Sequence, residues 1–206
     1  MPRARAAGLR IEEASACSPN RQRTTSGPSR MPDVNIARIG AADLEAYREL
    51  MLHAYEQVPD AFTSTAGERA AEPHSWWARR IGDSSGLAAA FGAFDRGSLV
   101  GTVAVEFSAK PKTRHKASIL GMYVRTEARR KGAARALMRA ALEHCRSRGD
   151  VSVVQLTVTA GNEAAVALYS SFGFRQFGLE PKAMRAGSGY LVKQHMWLDL
   201  EAGNAL

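Results

Sequence analysis

A short basic turn with a single glycine joins an apolar run to a long amphipathic segment near the middle of the chain. The apolar run covers residues 119–124, the turn reads Arg129-Arg130-Lys131-Gly132-Ala133-Ala134, and the amphipathic segment ends near Arg148. The first amides of a helix have no partner within it, and the aligned peptide dipoles favour negative charge there. Gly132 permits close approach of a ligand, and the basic side chains can add charge-assisted hydrogen bonds. The junction is therefore a candidate pyrophosphate site, although a basic loop that only caps a helix has the same pattern.

A second motif, NxxAxxLYxxxGF, follows on a predicted helix that leads into a strand. Its fixed positions are Asn162, Ala165, Leu168, Tyr169, Gly173 and Phe174. In this order and at this spacing, the two motifs resemble those of the GNAT superfamily of N-acetyltransferases, which use acetyl-coenzyme A. The resemblance covers residues 34–200, nearly everything past the amino-terminal segment.

The resemblance implies where the coenzyme is held. In that family the RxxGxA loop holds the pyrophosphate, and the strand before it splays from its neighbour, here residues 154–158, and pairs with the pantetheine arm. Asn162 has a second expected role as the N-cap of its helix, compatible with coenzyme contact. No metal is expected. The predicted cofactor-binding residues are Met122, Tyr123, Val124, Arg129, Arg130, Lys131, Gly132, Ala133, Ala134 and Asn162.

Tyr169 is the residue to which the resemblance gives a catalytic role, protonation of the departing thiolate. A phenol with a pKa of about 10 keeps its proton at neutral pH and can transfer it to a thiolate. The alternative role for Tyr169 is core packing beside the helical stripe of Ala165, Leu168 and Phe172.

Removal of a proton from the acceptor amine needs a base or a desolvating pocket. An amine with a pKa of about 10.4 is neutral in only about one part in 2,500 at pH 7. Several GNAT enzymes place a glutamate eleven residues before the phosphate loop, and Ser118 occupies that position here. Glu106 is the substitute candidate, because it alternates away from the apolar residues of its strand. An exposed or ion-paired Glu106, with an ordered water as the relay, is the alternative; His115 and His195 are weaker candidates.

Hydrophobic periodicity predicts an α/β fold with the order β-α-α-β-β-β-α-β-α-β-β. Helices are expected at 44–58, within 62–81 with an interruption at Pro73, at 134–148, and from Asn162 to Gly173. A mixed, mostly antiparallel central sheet flanked by helices results, and the GNAT fold implies the same. The predicted strands are residues 34–39, 87–94, 99–107, 119–124, 151–158, 174–178 and 190–198.

Two further segments have alternative interpretations. Trp76 and Trp77 either line the acceptor site, which this helical region overlies in GNAT folds, or pack the helix onto the sheet. The basic loop at 108–116 is either solvated surface or faces an acidic acceptor or the coenzyme phosphates.

Residues 1–32 differ in composition from the rest of the chain. Six arginines and two glutamates lie before Met31, so half of the formal net charge of +8 belongs to this segment. Its Arg, Ser, Ala and Pro content predicts a disordered basic tail, followed by an N-acetyltransferase domain at 33–201. A transit peptide and a translation start at Met31 are alternatives. Because no recognition-helix or zinc-finger pattern accompanies the basic residues, no specific nucleic-acid partner is expected.

The rest of the composition favours a cytoplasmic protein. No stretch approaches the roughly 18 apolar residues of a membrane helix, so no membrane association is expected. Cys17 and Cys145 provide neither a disulfide framework nor metal-ligand spacing.

The predicted function is transfer of acetyl from acetyl-CoA to a primary amine by direct attack in a ternary complex. Neither motif positions a cysteine nucleophile, so no covalent acetyl-enzyme is expected. The acceptor is a small-molecule amine or a protein amino group, and a homodimer is one candidate assembly. The alternative is an acyl-CoA-binding regulatory module without transfer activity, which Ser118 favours and Tyr169 opposes.

Overall fold

A computed structural model describes residues 34–82 and 84–201, and the predicted tail at 1–32 lies outside this part. The helices are α1 (Leu44–Gln57), α2 (Ala66–Ala70), α3 (His74–Ile81), α4 (Ala133–Ser147) and α5 (Glu163–Ser170). The strands are β1 (Asn35–Arg38), β2 (Ala88–Asp95), β3 (Ser98–Phe107), β4 (Lys116–Val124), β5 (Val153–Thr159), β6 (Arg175–Ala186) and β7 (Gly189–Asp199).

The strands form one seven-stranded sheet in the order β1-β2-β3-β4-β5-β7-β6. Only β4 and β5 run parallel among the described pairs, and every other neighbouring pair is antiparallel. The predicted α/β fold with a mixed, mostly antiparallel sheet is confirmed. Strand β5 lies inside the sheet, as its apolar character on both faces predicts.

The segment predicted as one helix interrupted by Pro73 is two separate helices. Thr65 caps α2, since its Oγ1 accepts from the Glu68 amide at 3.2 Å and Glu68 Oε2 accepts from the Thr65 amide at 2.7 Å. Pro73 is the N-cap of α3, with φ −69°. A proline lacks an amide donor and disfavours helical geometry in the residue before it, so one helix cannot run through this point. The predicted element order is wrong by this additional helix.

The strand predicted at 174–178 is the much longer β6. The loop predicted to contain residues 186–189 shrinks to a turn at Gly187 and Ser188. Pairing of β6 with β7 is irregular between Glu180 and Met184, around Pro181. An edge strand tolerates proline because the missing amide faces away from the ladder. The sequence pattern breaks at this irregularity although the strand continues.

Helices cover both faces of the sheet. On one face the stripe of α4, with Leu137, Met138 and Leu142 at most 1% exposed, packs on Val103 and Val105 of β3. On the other face, α1 and α3 form a separate cluster that includes Tyr47, Met51, Trp77, Ala104 and Tyr123. The alternation of β3 side chains therefore sends odd-numbered residues from 103 to 107 toward α4 and even-numbered ones toward α1 and α3.

Candidate active site

Strands β4 and β5 separate shortly after they meet. Their parallel pairing consists of Lys116 with Val153, Ala117 with Val154, and Ser118 with Gln155. Beyond Ser118 no pair between these strands is found in the described chain, so residues 119–124 have a strand partner on the β3 side alone. The splayed geometry that the family resemblance implies is present.

A β-bulge bends β4 at the start of this gap. Thr102 of β3 pairs with Tyr123, whereas Ala104 pairs with Leu120, so two β4 residues face one β3 residue. Gly121 occupies the bulge with φ +62°, a left-handed conformation that glycine adopts without strain. The extra residue redirects the end of β4 away from β5.

A cavity of about 240 Å³ occupies the gap and reaches both sides of the sheet. Residues 119–122 of β4 and 157–159 of β5 form its middle. The wall toward α5 consists of Asn162, Ala165, Leu168 and Tyr169, and the wall toward α1–α3 consists of Tyr55, residues 61–64, Arg69, Arg80 and Lys193.

The amino terminus of α4 presents unpaired backbone amides. Gly132 is the N-cap with φ +81° and ψ −4°, no side chain caps the helix, and its first turn contains no acidic residue. The Gly132 carbonyl accepts the first helical bond from the Ala136 amide at 3.0 Å, so the amides of residues 133–135 have no helical acceptor. The exposed side chains of Arg130 and Lys131 flank them. This terminus has the donors, dipole and charge that a diphosphate requires.

Arg129 connects this loop to the end of β4. Its Nε donates to the Val124 carbonyl at 3.0 Å, and its guanidinium carbon lies 5.9 Å from the Tyr123 ring centroid. The sequence suggests only a phosphate contact for Arg129, whereas the structure adds a backbone bond that holds the loop against the strand.

The predicted N-cap role of Asn162 is confirmed. Asn162 precedes α5, and its Oδ1 accepts from the Ala165 amide at 3.2 Å. The residue also lines the cavity. Capping fixes the start of α5 and thereby the position of Tyr169 two turns later.

Tyr169 is buried and lines the same cavity. It is 7% exposed and packs edge-on against Phe174, with 6.1 Å between ring centroids. Burial raises the pKa of Tyr169 to about 12. The hydroxyl has no hydrogen-bond partner among the described residues, so its proton is available to a group placed in the cavity. Packing and a chemical role are therefore compatible.

Glu106 lies beside the cavity wall and is absent from the cavity lining. It shares the sheet face of Ala104, opposite Ser118 on β4, and its Oε1 is 3.5 Å from Arg80 Nη1. The side chain is 48% exposed, whereas its partner Arg80 lines the cavity. The ion-paired glutamate considered as an alternative is thus present, with the pair adjacent to the site.

The two histidine candidates lie elsewhere. His195 Nε2 is 3.0 Å from Glu180 Oε2 on the outer hairpin. His115 belongs to the basic loop, and its carbonyl accepts from the amides of Ser152 and Val153, each at 3.0 Å. Neither histidine lines the cavity, and no residue of the basic loop does.

The two tryptophans have different surroundings. Trp77 is fully buried and packs edge-on against Tyr47, 6.1 Å between centroids, which matches the packing interpretation. The Trp76 ring contacts two guanidinium groups, whose carbons lie 4.4 Å (Arg69) and 4.7 Å (Arg80) from the ring centroid. It therefore positions two residues of the cavity wall.

Sequence patterns missed Arg69 and Lys193. Lys193 stands in a strand among partly apolar residues and is only 4% exposed, which no local pattern indicates. Across residues 34–82 and 84–201, no cluster of three or more His, Cys, Asp or Glu side chains is arranged for a metal ion. Within the same residues, no helix has the length and apolarity to cross a membrane.

Comparison with known proteins identifies a family and one similar enzyme. The model of the family described as Acetyltransferase (GNAT) family matches residues 45–174. The chain is 29% identical over 158 residues, 76% of its own length and 93% of the relative's, to the L-amino acid N-acetyltransferase AaaT of Escherichia coli K12.

Solved structures share the fold. A ribosomal-protein-alanine N-acetyltransferase from Brucella melitensis superposes with a TM-score of 0.68 at 26% identity, over 81% of this chain and all of that one. The protein yncA from Salmonella typhimurium, solved with its cofactor acetyl-CoA, superposes with a TM-score of 0.68 at 20% identity, over 82% of this chain and 94% of that one.

Proposed function

This chain belongs to the Acetyltransferase (GNAT) family, and we propose that it transfers an acetyl group from acetyl-CoA to a primary amine by direct attack. The observation that carries the proposal is the uncapped start of α4 beside a gap in the sheet. Relatives named for amino-acid and ribosomal-protein alanine substrates support an amine acceptor.

The coenzyme of this family, acetyl-CoA, fits the residues present. When bound, it supplies an acetyl group activated as a thioester. The amides of residues 133–135 with Arg130 and Lys131 would hold its pyrophosphate. Met122, Tyr123 and Val124 would hold the pantetheine arm through backbone groups on the unpaired edge of β4.

The unpaired edge of β4 also supplies electrostatic stabilisation. Its free backbone amides are fixed by pairing on the β3 side and by the Gly121 bulge. Preorganised amides directed at a developing negative oxygen contribute about 3–4 kcal/mol each to the transition state. The contribution of one such amide in residues 119–124 to the rate is therefore comparable to that of one catalytic side chain.

We assign the acid role to Tyr169. Because burial raises the pKa of Tyr169 to about 12, the phenol is protonated at neutral pH. It would donate that proton to the departing thiolate as the carbon–sulfur bond breaks and negative charge develops on sulfur. General acid catalysis of this kind contributes typically about 10²–10⁴-fold to the rate.

We assign the base role to Glu106. We call the cavity wall toward α1–α3 the acceptor wall. Glu106 is ion-paired with Arg80 of this wall, which supports a carboxylate within reach of the acceptor. At neutral pH, deprotonating an ordinary alkyl amine costs about 4.6 kcal/mol, and a carboxylate acting directly or through one water offsets part of that cost.

Among the described residues, no cysteine lines this cavity, so a cysteine-linked acetyl-enzyme is not expected. Within the described residues, Cys145 is buried against the sheet in α4, and burial raises the pKa of its thiol to about 12. Direct attack in a ternary complex is therefore the mechanism that the site supports best.

Thiol release from acetyl-CoA, measured with and without a panel of primary amines, tests the proposal. Amine-dependent release, accompanied by an acetylated product in mass spectrometry, is the expected result. Tight coenzyme binding without release for any amine would instead support the regulatory alternative. A variant with Gly132 and Lys131 both replaced by Glu is the negative control, because it places carboxylates at the diphosphate site.

A further inference from the structure

We propose, building on the acetyltransferase function above, that Lys193 binds a carboxylate of the acceptor. The preferred acceptors are then small amines that carry a carboxylate near the amino group, such as free amino acids. Polyamines and aminoglycosides, which are cationic throughout, are poor acceptors.

Lys193 is a buried cation with neutral partners. It is 4% exposed, and its Nζ donates to the Ala61 carbonyl at 3.1 Å and to Thr159 Oγ1 at 2.9 Å. Thr159 uses its own proton on the Asp60 carbonyl at 2.6 Å, so it must accept from Lys193. An ammonium has three donors, and these bonds occupy two of them. The third has no partner in the described chain and is free for a ligand in the cavity.

The surroundings of Lys193 compensate its charge only in part. It forms no ion pair with a carboxylate of the described residues, and burial lowers the pKa of its amine, with Glu180 opposing that effect. A buried ammonium surrounded by neutral oxygens carries a desolvation cost that an anionic ligand offsets. A carboxylate on the acceptor supplies that anion.

The rest of the acceptor wall has the same sign of charge. Arg69 and Arg80 line the cavity with Lys193, and no Asp or Glu side chain lines it among the described residues. Arg69 Nε is buried without a hydrogen-bond partner. Each arginine has one acidic partner outside the cavity lining, Glu72 at 3.4 Å and Glu106 at 3.5 Å. Of these three cations, Lys193 is therefore the one that forms no ion pair with a carboxylate of the described residues.

Position separates this anion site from the coenzyme phosphates. Lys193 faces residues 60–61, on the sheet face of α1–α3, whereas the diphosphate site is the start of α4. Residues 119–122 of β4 and Lys193 line the same cavity of about 240 Å³, so an amine near β4 and a carboxylate at Lys193 would suit one small molecule. A protein amino terminus lacks such a carboxylate.

Matched acceptors test the assignment. Each of several L-amino acids is compared with its primary amide and its decarboxylated amine, with kcat/KM measured by thiol release. We expect the acids to be preferred by about 10–100-fold, since one hydrogen bond to a charged group contributes about 1.5–3 kcal/mol. In Lys193→Met, the KM for the acids should rise by a similar factor, while kcat/KM for the amides and the KM for acetyl-CoA stay unchanged. Lys110→Met, at an exposed lysine of the basic loop, is the control.

The outcomes distinguish the two proposals. Transfer to amides and decarboxylated amines as fast as to acids leaves the acetyltransferase function intact and overturns the role of Lys193. If Lys193→Met lowers kcat/KM equally for acids and amides, Lys193 does not bind the carboxylate. Its role is then structural, as a bridge between β7 and residues 60–61. If no amine supports thiol release, the acetyltransferase proposal fails; thermal stabilisation by amino acids, compared with their amides in wild type and Lys193→Met, then decides on the carboxylate site alone.

Discussion

The guanidinium of Arg129 bonds the carboxyl end of β4, with its Nε 3.0 Å from the carbonyl oxygen of Val124. Val124 is the last residue of the strand that borders the gap, and Gly132, three residues after Arg129, is the N-cap of α4. The bond therefore fixes the distance between the unpaired edge of β4 and the free amides at the start of the helix. Backbone hydrogen bonds from the Arg125, Ala128 and Arg129 amides also hold this segment, so a ligand that contacts both ends depends on Arg129 only in part.

Arg129→Lys retains the positive charge and removes the Nε donor. The KM for acetyl-CoA is expected to rise about tenfold, since a hydrogen bond from a charged donor contributes about 1.5–3 kcal/mol. Steady-state kinetics checks this, with Arg135→Lys as the control, because the Arg135 guanidinium bonds Ser171 Oγ instead. If Arg129→Lys leaves the KM unchanged, the charge alone matters and the backbone bond has no role in coenzyme binding.

Gly132→Ala tests the geometry of the phosphate site. A Cβ at Gly132 meets no atom within 4 Å, so the substitution strains the backbone at φ +81° without a clash. Gly149, after the other end of α4, has φ +72° and equally free space. Both alanine variants should lose about 1 kcal/mol of unfolding free energy in denaturant titrations. Only Gly132→Ala should raise the KM for acetyl-CoA, and a similar rise in both variants would contradict the assignment.

Tyr169→Phe should lower kcat about 10²-fold or more and leave the KM for acetyl-CoA nearly unchanged. Tyr190→Phe, at an exposed tyrosine of β7, is the control and should keep full turnover.

Burial raises the pKa of Tyr169 to about 12. Because the folded-state pKa lies above the ordinary value of about 10, the neutral phenol stabilises the fold below pH 10, and this contribution is lost as the pH rises through 12. If kcat falls on the alkaline side below pH 10, ionisation of Tyr169 should not be the cause. Wild-type turnover in Tyr169→Phe would exclude the acid role.

Glu106→Gln should lower kcat/KM about 10²-fold near neutral pH, because the amide cannot accept the proton of the amine. Glu49→Gln is the matched control, because Glu49 pairs with Arg125 at 3.9 Å outside the cavity lining. An exposed ion pair contributes at most about 1 kcal/mol to stability, so both variants should fold. An unchanged kcat/KM in Glu106→Gln would rule out the base role and leave this glutamate only its pair with Arg80.

Asn162→Ala should reduce the unfolding free energy by about 1 kcal/mol, since the Ala165 amide loses its capping acceptor. Asn162→Ser restores a capping oxygen and should regain most of that stability. Comparing the two variants separates the roles of Asn162. A raised KM for acetyl-CoA in the serine variant would indicate coenzyme contact by the amide itself, and a normal KM would limit Asn162 to capping.

Local features of the fold and site were predictable from sequence. The turn at Gly132, the cap at Asn162 and the stripe of α4 all depend on residues within a few positions of one another. Pro73 and Pro181 show the limit of such patterns, because proline ends a helix but only interrupts an edge strand. Spacing alone does not distinguish these outcomes.

The acceptor wall depends on contacts across the chain and was not predictable. Lys193 bonds the carbonyl of Ala61, 132 positions away in sequence. Arg80 reaches Glu106 from a different helix, and Trp76 orders two arginines by stacking. A buried lysine and an exposed one look alike in sequence, since burial is decided by which segment folds over them.

Strands β4 and β5 pair through only three residues each, and this short pairing offers a way to follow the protein in solution. Backbone amides of residues 119–124 that point away from β3 face the gap instead of a strand. They should exchange with deuterium faster than their neighbours in the same strand. Slower exchange confined to these amides would then register occupancy of the gap, whatever molecule fills it and whether or not a reaction follows.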